Sequence, residues 1–245
     1  VRNTAIGSYT MYDNTTGGYN VAVGQSALYN NETADSNTAV GYVALNANTT
    51  GGGNTAVGAY SLDSNTTGYA NVAIGCDAMQ TNTVGFHNVA VGENSLELND
   101  SGDCNTAIGV AALRGNTTNG NVAVGFNAAK CNTGGGYNTA VGLCALHTNT
   151  TSSHNTAIGD SALKVNTGAN NTAVGKSALI ANTSGENNTS LGSCALDANT
   201  TASNNTAVGA NSLGANTTGA SNTAVGVNAL DSNTTGNNNI GVGAS

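Results

Sequence analysis

The sequence predicts an all-β protein, a parallel β-solenoid of about fourteen coils of 17 residues each. Three observations lead to this prediction: an Asn recurs every 17 residues, with two intervals of 16; a β-branched segment follows each Asn; and turn residues such as Asn-Thr-Thr-Gly close the repeat. Because one such unit cannot bury a core of its own, it is stable only when stacked on its neighbours. Fourteen full repeats begin at residue 3 and a partial repeat occupies 239–245. Residues 1–245 therefore read as a single repeat domain, which we expect to be a section of a longer protein.

The predicted strand follows the Asn, which is numbered position 1 of each repeat. In residues 37–53, which represent the others, the strand segment reads Asn-Thr-Ala-Val. The β-branched residues at positions 2 and 4 are expected to face the core, because side chains alternate along a strand. Position 3 would then face outwards, yet it is Ala in thirteen of the fourteen full repeats. We therefore expect another copy of the chain to pack on this Ala face, and replacement of Ala56 and Ala90 by Glu to dissociate the copies.

The rest of each repeat predicts turns and one further core residue. Gly at position 5 ends the strand, where the chain needs a positive φ or has no room for a Cβ atom. Ala-Leu at positions 8 and 9 sends Leu into the core, and positions 12 to 15 form a turn that leads to the next Asn. Charged side chains avoid positions 1 to 5, 8, 9 and 12 throughout, as columns assigned to a core and an interface require.

Composition and charge argue against several classes of function. The net charge is −8 with only five Lys and Arg residues, which disfavours nucleic acid as a partner. No apolar run is long enough for membrane insertion. The five cysteines share no column in adjacent repeats and lack metal-ligand spacing, so we expect unpaired thiols, with bridges between chains as the alternative. The three histidines, His87, His147 and His154, have no acid or nucleophile at a fixed offset. We therefore expect neither an enzyme nor a cofactor or metal site.

The repeat resembles the head repeats of trimeric autotransporter adhesins of the YadA type. The resemblance is carried by the segments NTAVG, NVAIG and NTAIG, each followed by Ala-Leu and a Gly-containing turn, and it covers the whole chain. Similar repeats occur in phage tail fibres. The resemblance implies a left-handed β-roll, a homotrimer and a location outside the cell, on a cell or virion surface. The present repeat is two or three residues longer than that of the YadA head and richer in Asn and Thr.

Asn at position 12 is present in every full repeat and has two interpretations. Stacked amides can form a hydrogen-bonded ladder, and Asn-x-Ser/Thr is also an acceptor site for N-linked glycans. Three repeats keep the Asn without the acceptor sequence, which favours the ladder. The eleven residues that fit both interpretations are Asn14, Asn31, Asn48, Asn65, Asn99, Asn116, Asn149, Asn182, Asn199, Asn216 and Asn233.

Exposed aromatic residues are the candidates for surface binding, because Tyr stacks well on sugars and at protein interfaces. All ten Tyr and Phe residues lie in variable columns before residue 138. Scattered surface substitution is the alternative interpretation. The candidate tyrosines are Tyr9, Tyr12, Tyr19, Tyr29, Tyr42, Tyr60 and Tyr69.

The function that these features favour is that of a structural rod in an extracellular fibre or adhesin. Its partners would be copies of itself and a glycan or receptor on a host surface. The first alternative is a self-assembling extracellular filament, with or without N-linked glycans. A second alternative is ice binding by the Thr column at position 13, although Glu32 and Asp100 interrupt that column.

Overall fold

The computed structural model describes residues 2–244, which form short parallel strands joined by turns and contain no helix. Each strand is three residues long and follows the Asn that opens a repeat. The strands are β1 (Thr4–Ile6), β2 (Val21–Val23), β3 (Thr38–Val40), β4 (Thr55–Val57), β5 (Val72–Ile74), β6 (Val89–Val91), β7 (Thr106–Ile108), β8 (Val122–Val124), β9 (Thr139–Val141), β10 (Thr156–Ile158), β11 (Thr172–Val174), β12 (Thr189–Leu191), β13 (Thr206–Val208), β14 (Thr223–Val225) and β15 (Ile240–Val242).

The chain divides into two compact units, residues 1–121 and residues 122–245. In the first unit β1 to β7 pair in chain order, and in the second unit β8 to β15 do the same. All these pairs are parallel and in register, so that position 3 of one coil faces position 3 of the next. Both units are parallel β-solenoids, and together they contain about fourteen coils of about 17 residues. This confirms the predicted fold class and repeat length. No helix among the described residues has the length and hydropathy of a membrane span.

The strand faces the opposite way from the sequence prediction. The Ala residues at position 3 of β2 to β11, β13 and β14 are completely buried inside the coil, whereas positions 2 and 4 are half-buried or exposed. Both Ala56 and Ala90 are completely buried. The core of a coil therefore consists of positions 3, 8 and 9, and the β-branched residues form its outer sheet face. The predicted Ala face for another copy of the chain does not exist.

The narrow interior of the coil explains why position 3 is Ala. In the one full repeat with Ser instead, Ser190 is completely buried and its Oγ donates to the carbonyl oxygen of Ala195, 2.8 Å away on the opposite side of the coil. At Gly241, a Cβ atom would lie 2.6 Å from Cγ of Leu230. Only a side chain as small as that of Ala or Ser fits between the strand and the Leu at position 9. Val and Ile are therefore excluded from the inside by their size.

The turns depend on residues with positive φ. Position 5 requires Gly for two reasons, a positive φ and a lack of room for a Cβ atom. Gly92, for example, has a φ of 130°, and a Cβ atom there would lie 2.7 Å from the carbonyl oxygen of Gly109. The buried Leu at position 9 also has a positive φ, 49° at Leu62, where L-residues other than Gly, Asn and Asp are uncommon. Burial of the Leu side chain in the core offsets this cost.

Candidate functional site

The outer sheet face is the most regular surface of the molecule. In each unit it consists of the side chains at positions 2 and 4. Position 2 is Thr or Val, apart from Ile240 in the partial last repeat, and position 4 is Val, Ile or Leu. Ile74 at position 4 is 39% exposed, and no charged residue occurs in either column. With strands about 4.8 Å apart, the face extends roughly 30 Å along each unit. Parallel sheets are usually covered on both sides, yet here only the inner side is covered by the chain itself.

Two ladders of buried amides hold neighbouring coils together. At position 12, Asn65 donates from Nδ2 to Oδ1 of Asn48 at 2.8 Å, and its own Oδ1 accepts from Asn82 at 2.8 Å. At position 1, the backbone N–H of Asn54 donates to Oδ1 of Asn37 at 2.8 Å. The sequence pattern does not predict the position 1 ladder, because the Asn there serves only to mark the start of each repeat. An invariant amide before a buried strand is the signal that could have identified it.

The ladder at position 12 includes the eleven residues with the glycan acceptor sequence. Nine of them are buried, and Asn14 and Asn233 are half-buried. In each, Nδ2 donates to the backbone carbonyl two or three residues ahead; at Asn149, for example, this bond to Ser152 measures 2.8 Å. A glycan is attached through this same nitrogen, so it would have to break the ladder. The geometry favours the ladder over glycosylation in the folded chain.

The Thr column at position 13 is used internally. The Oγ1 atoms of Thr49, Thr66 and Thr183 each donate to the backbone carbonyl of the residue at position 13 in the next coil, at distances of 2.9 to 3.1 Å. Thr133 and Thr217 repeat this contact at 3.1 Å. These hydroxyl groups strengthen the stacking of coils, so the column does not present a row of free hydroxyl groups to solvent.

The Thr residues at position 2 are different, because their hydroxyl groups form no hydrogen bond within the part of the chain that the structure describes, residues 2–244. In the second unit they occupy six consecutive strands, β9 to β14, and their side chains are half-buried or exposed on the outer sheet face. They alternate along each strand with Val, Ile or Leu at position 4. The six residues are Thr139, Thr156, Thr172, Thr189, Thr206 and Thr223.

The candidate tyrosines fall into three groups. Tyr9, Tyr12 and Tyr29 form one cluster, in which the rings of Tyr12 and Tyr29 stack at 5.2 Å. Partial burial raises the pKa of the Tyr29 phenol, and the nearby Asp13 carboxylate adds to this increase. The phenol therefore stays neutral over the physiological pH range and can donate a hydrogen bond.

Of the other four candidates, Tyr42 and Tyr60 form the second group, Tyr69 belongs to the third, and Tyr19 belongs to none. Tyr42 and Tyr60 meet edge to face at 5.3 Å, and desolvation together with Tyr42 raises the pKa of the Tyr60 phenol. Tyr69 stacks on Phe86 at 4.9 Å with nearly parallel rings. Tyr19 is exposed and has no ring contact among residues 2–244.

Four residues with stacked or edge-to-face rings are not among the candidates. Phe86 and His87 complete the group around Tyr69, and Tyr137 stacks on His154 at 5.4 Å in the second unit. The sequence contains a signal for these pairs, because stacked rings occupy the same position in consecutive repeats: position 16 for Tyr69 and Phe86, and position 17 for the other pair. In-register stacking makes such residues neighbours.

The cysteines and the charged columns add no reactive group. Among residues 2–244 all five cysteines are free, and no cluster of His, Cys, Asp or Glu could hold a metal ion. The hydrogen bond to Asp77 is the main cause that raises the pKa of the Cys76 thiol, which makes it a poor nucleophile. Burial and the neighbouring Lys130 and Lys164 lower the pKa of His147.

Comparison with known proteins gives no relative. The chain matches no family model, and no curated protein or solved structure is significantly similar to it.

Proposed function

We propose that the chain is a structural section of an extracellular fibre or adhesin that associates with copies of itself through the outer sheet face. The observation that carries the proposal is the uncharged β-branched face at positions 2 and 4. Contiguous apolar surface of several hundred Å² is rarely left exposed by monomeric proteins and marks interaction sites. The face repeats with the same spacing from coil to coil, so a second copy of the same repeat offers a surface of matching periodicity. The resemblance to YadA-type heads favours three copies and a left-handed coil.

The internal construction supports a mechanical role. Within each unit, neighbouring coils are joined by parallel strand pairs, by amide ladders at positions 1 and 12, and by buried side chains at position 9, most of which are Leu. Solenoids of this kind gain their stability from the interfaces between neighbouring coils. Such a scaffold holds side chains in the turn columns at a regular spacing along its surface, which suits presentation of binding groups to a host surface.

Light scattering on purified protein tests the proposal. We expect the wild-type chain to have a molar mass that is a multiple of 23.9 kDa. Changing Val57 and Ile74 together to Glu should give a folded monomer, because buried charges on both sides of an interface are unpaired. The control Thr67→Glu alters an exposed residue in a turn and should keep the mass of the wild type. A monomeric wild type, or a double variant that still associates, refutes the proposal. Continuous polymers in electron micrographs would instead identify the filament.

Ice binding is the second candidate function, and the candidate ice-binding surface is the Thr column at position 2 instead of the one at position 13. The supporting observation is the row of six Thr residues in the second unit whose hydroxyl groups have no hydrogen-bond partner among the described residues. A flat array of hydroxyl and methyl groups at a fixed spacing can order water into a lattice. Thr172→Tyr should abolish inhibition of ice recrystallisation, whereas the exposed turn change Ser184→Tyr should not. Because association would cover the same face, a monomer that inhibits recrystallisation supports this candidate and an inactive oligomer excludes it.

A further inference from the structure

A notch one coil wide interrupts the turn columns of the first unit. Position 16 carries a side chain in the coils before and after residues 37–53, but Gly52 and Gly53 leave positions 16 and 17 of that coil bare. One wall of the notch is Asp35, and the other is Tyr69, each at position 16 of the flanking coil. With coils about 4.8 Å apart, the two wall residues are about 10 Å apart at the backbone. Among the described residues, Tyr69 is the one aromatic residue at position 16 or 17 whose neighbouring coil has Gly at both of these positions.

The Tyr69 wall is a rigid aromatic surface with one free face. Its ring is parallel to that of Phe86 within 5° at 4.9 Å, and His87 meets it edge to face at 5.3 Å. The centroid separation is close to the spacing of one coil, so the next place in this stack lies above Gly52, which has no side chain to fill it. Tyr69 remains 44% exposed although it is stacked, while Phe86 behind it is half-buried.

The floor of the notch offers a hydrogen-bond donor without a partner. At position 16 the backbone N–H donates to a side chain of the next coil wherever that side chain is a short acceptor. Gly18 donates in this way to Oδ1 of Asp35 at 2.6 Å, and Phe86 donates to Oδ1 of Asp103 at 3.0 Å. The residue that follows Gly52 in the column is Tyr69, which cannot accept in the same way. The N–H of Gly52 consequently forms no hydrogen bond with any residue from 2 to 244.

The Asp35 wall supplies an acceptor through its backbone. Its carboxylate leans away from the notch, because Oδ1 accepts from the N–H of Gly18 in the preceding coil at 2.6 Å. The carbonyl oxygen of Asp35 borders the notch, 3.1 Å from the place of a Cβ atom at Gly52, and it accepts one hydrogen bond, from Gly53 at 3.1 Å, so a second lone pair remains for a ligand. The surroundings are acidic, because residues 1–121 contain nine Asp and Glu residues against two Arg residues. A ligand in the notch must therefore be neutral, flat on one side and equipped with both donors and acceptors.

We propose that this notch binds one pyranose ring of a neutral glycan. The apolar C–H face of the sugar stacks on the free face of Tyr69, as sugars do on aromatic rings. One hydroxyl group accepts from the N–H of Gly52, and another donates to the backbone carbonyl oxygen of Asp35. The place in the stack that a further aromatic residue would take is thus filled by the sugar. The inference rests on the proposed function in one respect only: the proposed location outside the cell is where the chain would encounter such a glycan.

Saturation-transfer NMR with four neutral trisaccharides tests the binding: cellotriose, maltotriose, mannotriose and chitotriose, each at millimolar concentration. We expect at least one of them to bind the wild-type chain. Gly52→Tyr should remove the signal, because the new ring completes the stack and fills the notch. This variant is expected to fold, since Tyr and Phe already occupy the same position in the next two coils. Tyr69→Ala should weaken binding about tenfold through loss of the stacking surface.

The matched control is Tyr137→Ala, which removes a stacked tyrosine of the second unit and should leave binding unchanged. The proposal is overturned if none of the four sugars binds, or if Gly52→Tyr binds as well as the wild type. Position 16 is not part of the outer sheet face, so the molar mass of Gly52→Tyr should equal that of the wild type. Loss of sugar binding and loss of self-association are therefore seen in separate measurements.

Discussion

The amide ladder at position 12 makes a quantitative prediction for Asn65→Ala. The side chain of Asn65 is completely buried and forms three hydrogen bonds. Its Nδ2 donates to Asn48 Oδ1 at 2.8 Å and to the carbonyl oxygen of Gly68 at 2.9 Å, and its Oδ1 accepts from Asn82 Nδ2 at 2.8 Å. The Ala variant removes all three bonds. Asn48, Asn82 and the carbonyl of Gly68 then each lose one hydrogen-bond partner.

The consequences differ among the three partners. The carbonyl of Gly68 still accepts from Asn54 Nδ2 at 2.8 Å, and Asn82 Nδ2 keeps its bond to a backbone carbonyl. Asn48 Oδ1, in contrast, loses its donor while it stays buried. Each hydrogen bond contributes about 0.5–1.5 kcal/mol net, and a buried acceptor without a partner costs about 1–3 kcal/mol. We therefore expect Asn65→Ala to destabilise the surrounding coils by about 3 kcal/mol.

Hydrogen exchange measured by mass spectrometry is the suitable assay, because long repeat arrays depart from two-state unfolding. A loss of about 3 kcal/mol should accelerate exchange in residues 54–70 about a hundredfold. The control Thr66→Ala removes one half-buried hydroxyl, which donates to the carbonyl of Thr83 at 3.0 Å, and should accelerate exchange only about fivefold. Equal effects of the two substitutions would refute the reasoning that the ladder stabilises the stack.

Three further predictions concern the core, the turns and His147 at position 10. Ala56→Glu should abolish the far-ultraviolet circular dichroism of the affected coils, whereas Val57→Glu, one residue further along the strand, should keep it. Ala70→Gly should raise the thermal midpoint through a gain of about 1 kcal/mol in the free energy of unfolding, because φ is 53° at this residue. Gly53→Ala, at the same position of the preceding coil, should lower the midpoint by a similar amount. The pKa of His147 is lowered in the folded chain, so stability is retained above about pH 6.5 and should decrease as the pH falls below that value. Melting curves between neutral and mildly acidic pH should show this decrease in the wild type but not in His147→Asn.

The sequence predicts the coil but not the direction in which its strand faces. A fixed repeat, an invariant Gly and a regular Leu are enough to place the strand, the turn and one core residue. A three-residue strand, however, has only two alternating assignments, and hydrophobicity favours Val and Ile inside. The interior width decides against this, as the hydrogen bond from Ser190 across the coil demonstrates. That width depends on the positive φ of the Leu at position 9, a conformation that propensities assign to Gly and Asn.

The candidate residues are divided by the same geometry. The stacked pairs Tyr12–Tyr29 and Tyr69–Phe86 follow directly from shared positions in consecutive repeats, so the sequence contains them once the register is known. The notch at Gly52 requires more, because its free donor results from what the next coil lacks. No pattern in a single repeat reveals a hydrogen bond that fails to form.

Regular and irregular surfaces of this solenoid suit different partners. The outer sheet face presents the same pair of columns in every coil, so it matches a partner with the same period, either another copy of the chain or an ordered layer of water. The turn columns change from coil to coil and can form a discrete site only where neighbouring repeats happen to differ, as at Gly52 and Tyr69. Substitutions on the sheet face should therefore act in proportion to the number of coils changed. A single substitution in the notch should instead remove sugar binding completely while the assembly persists.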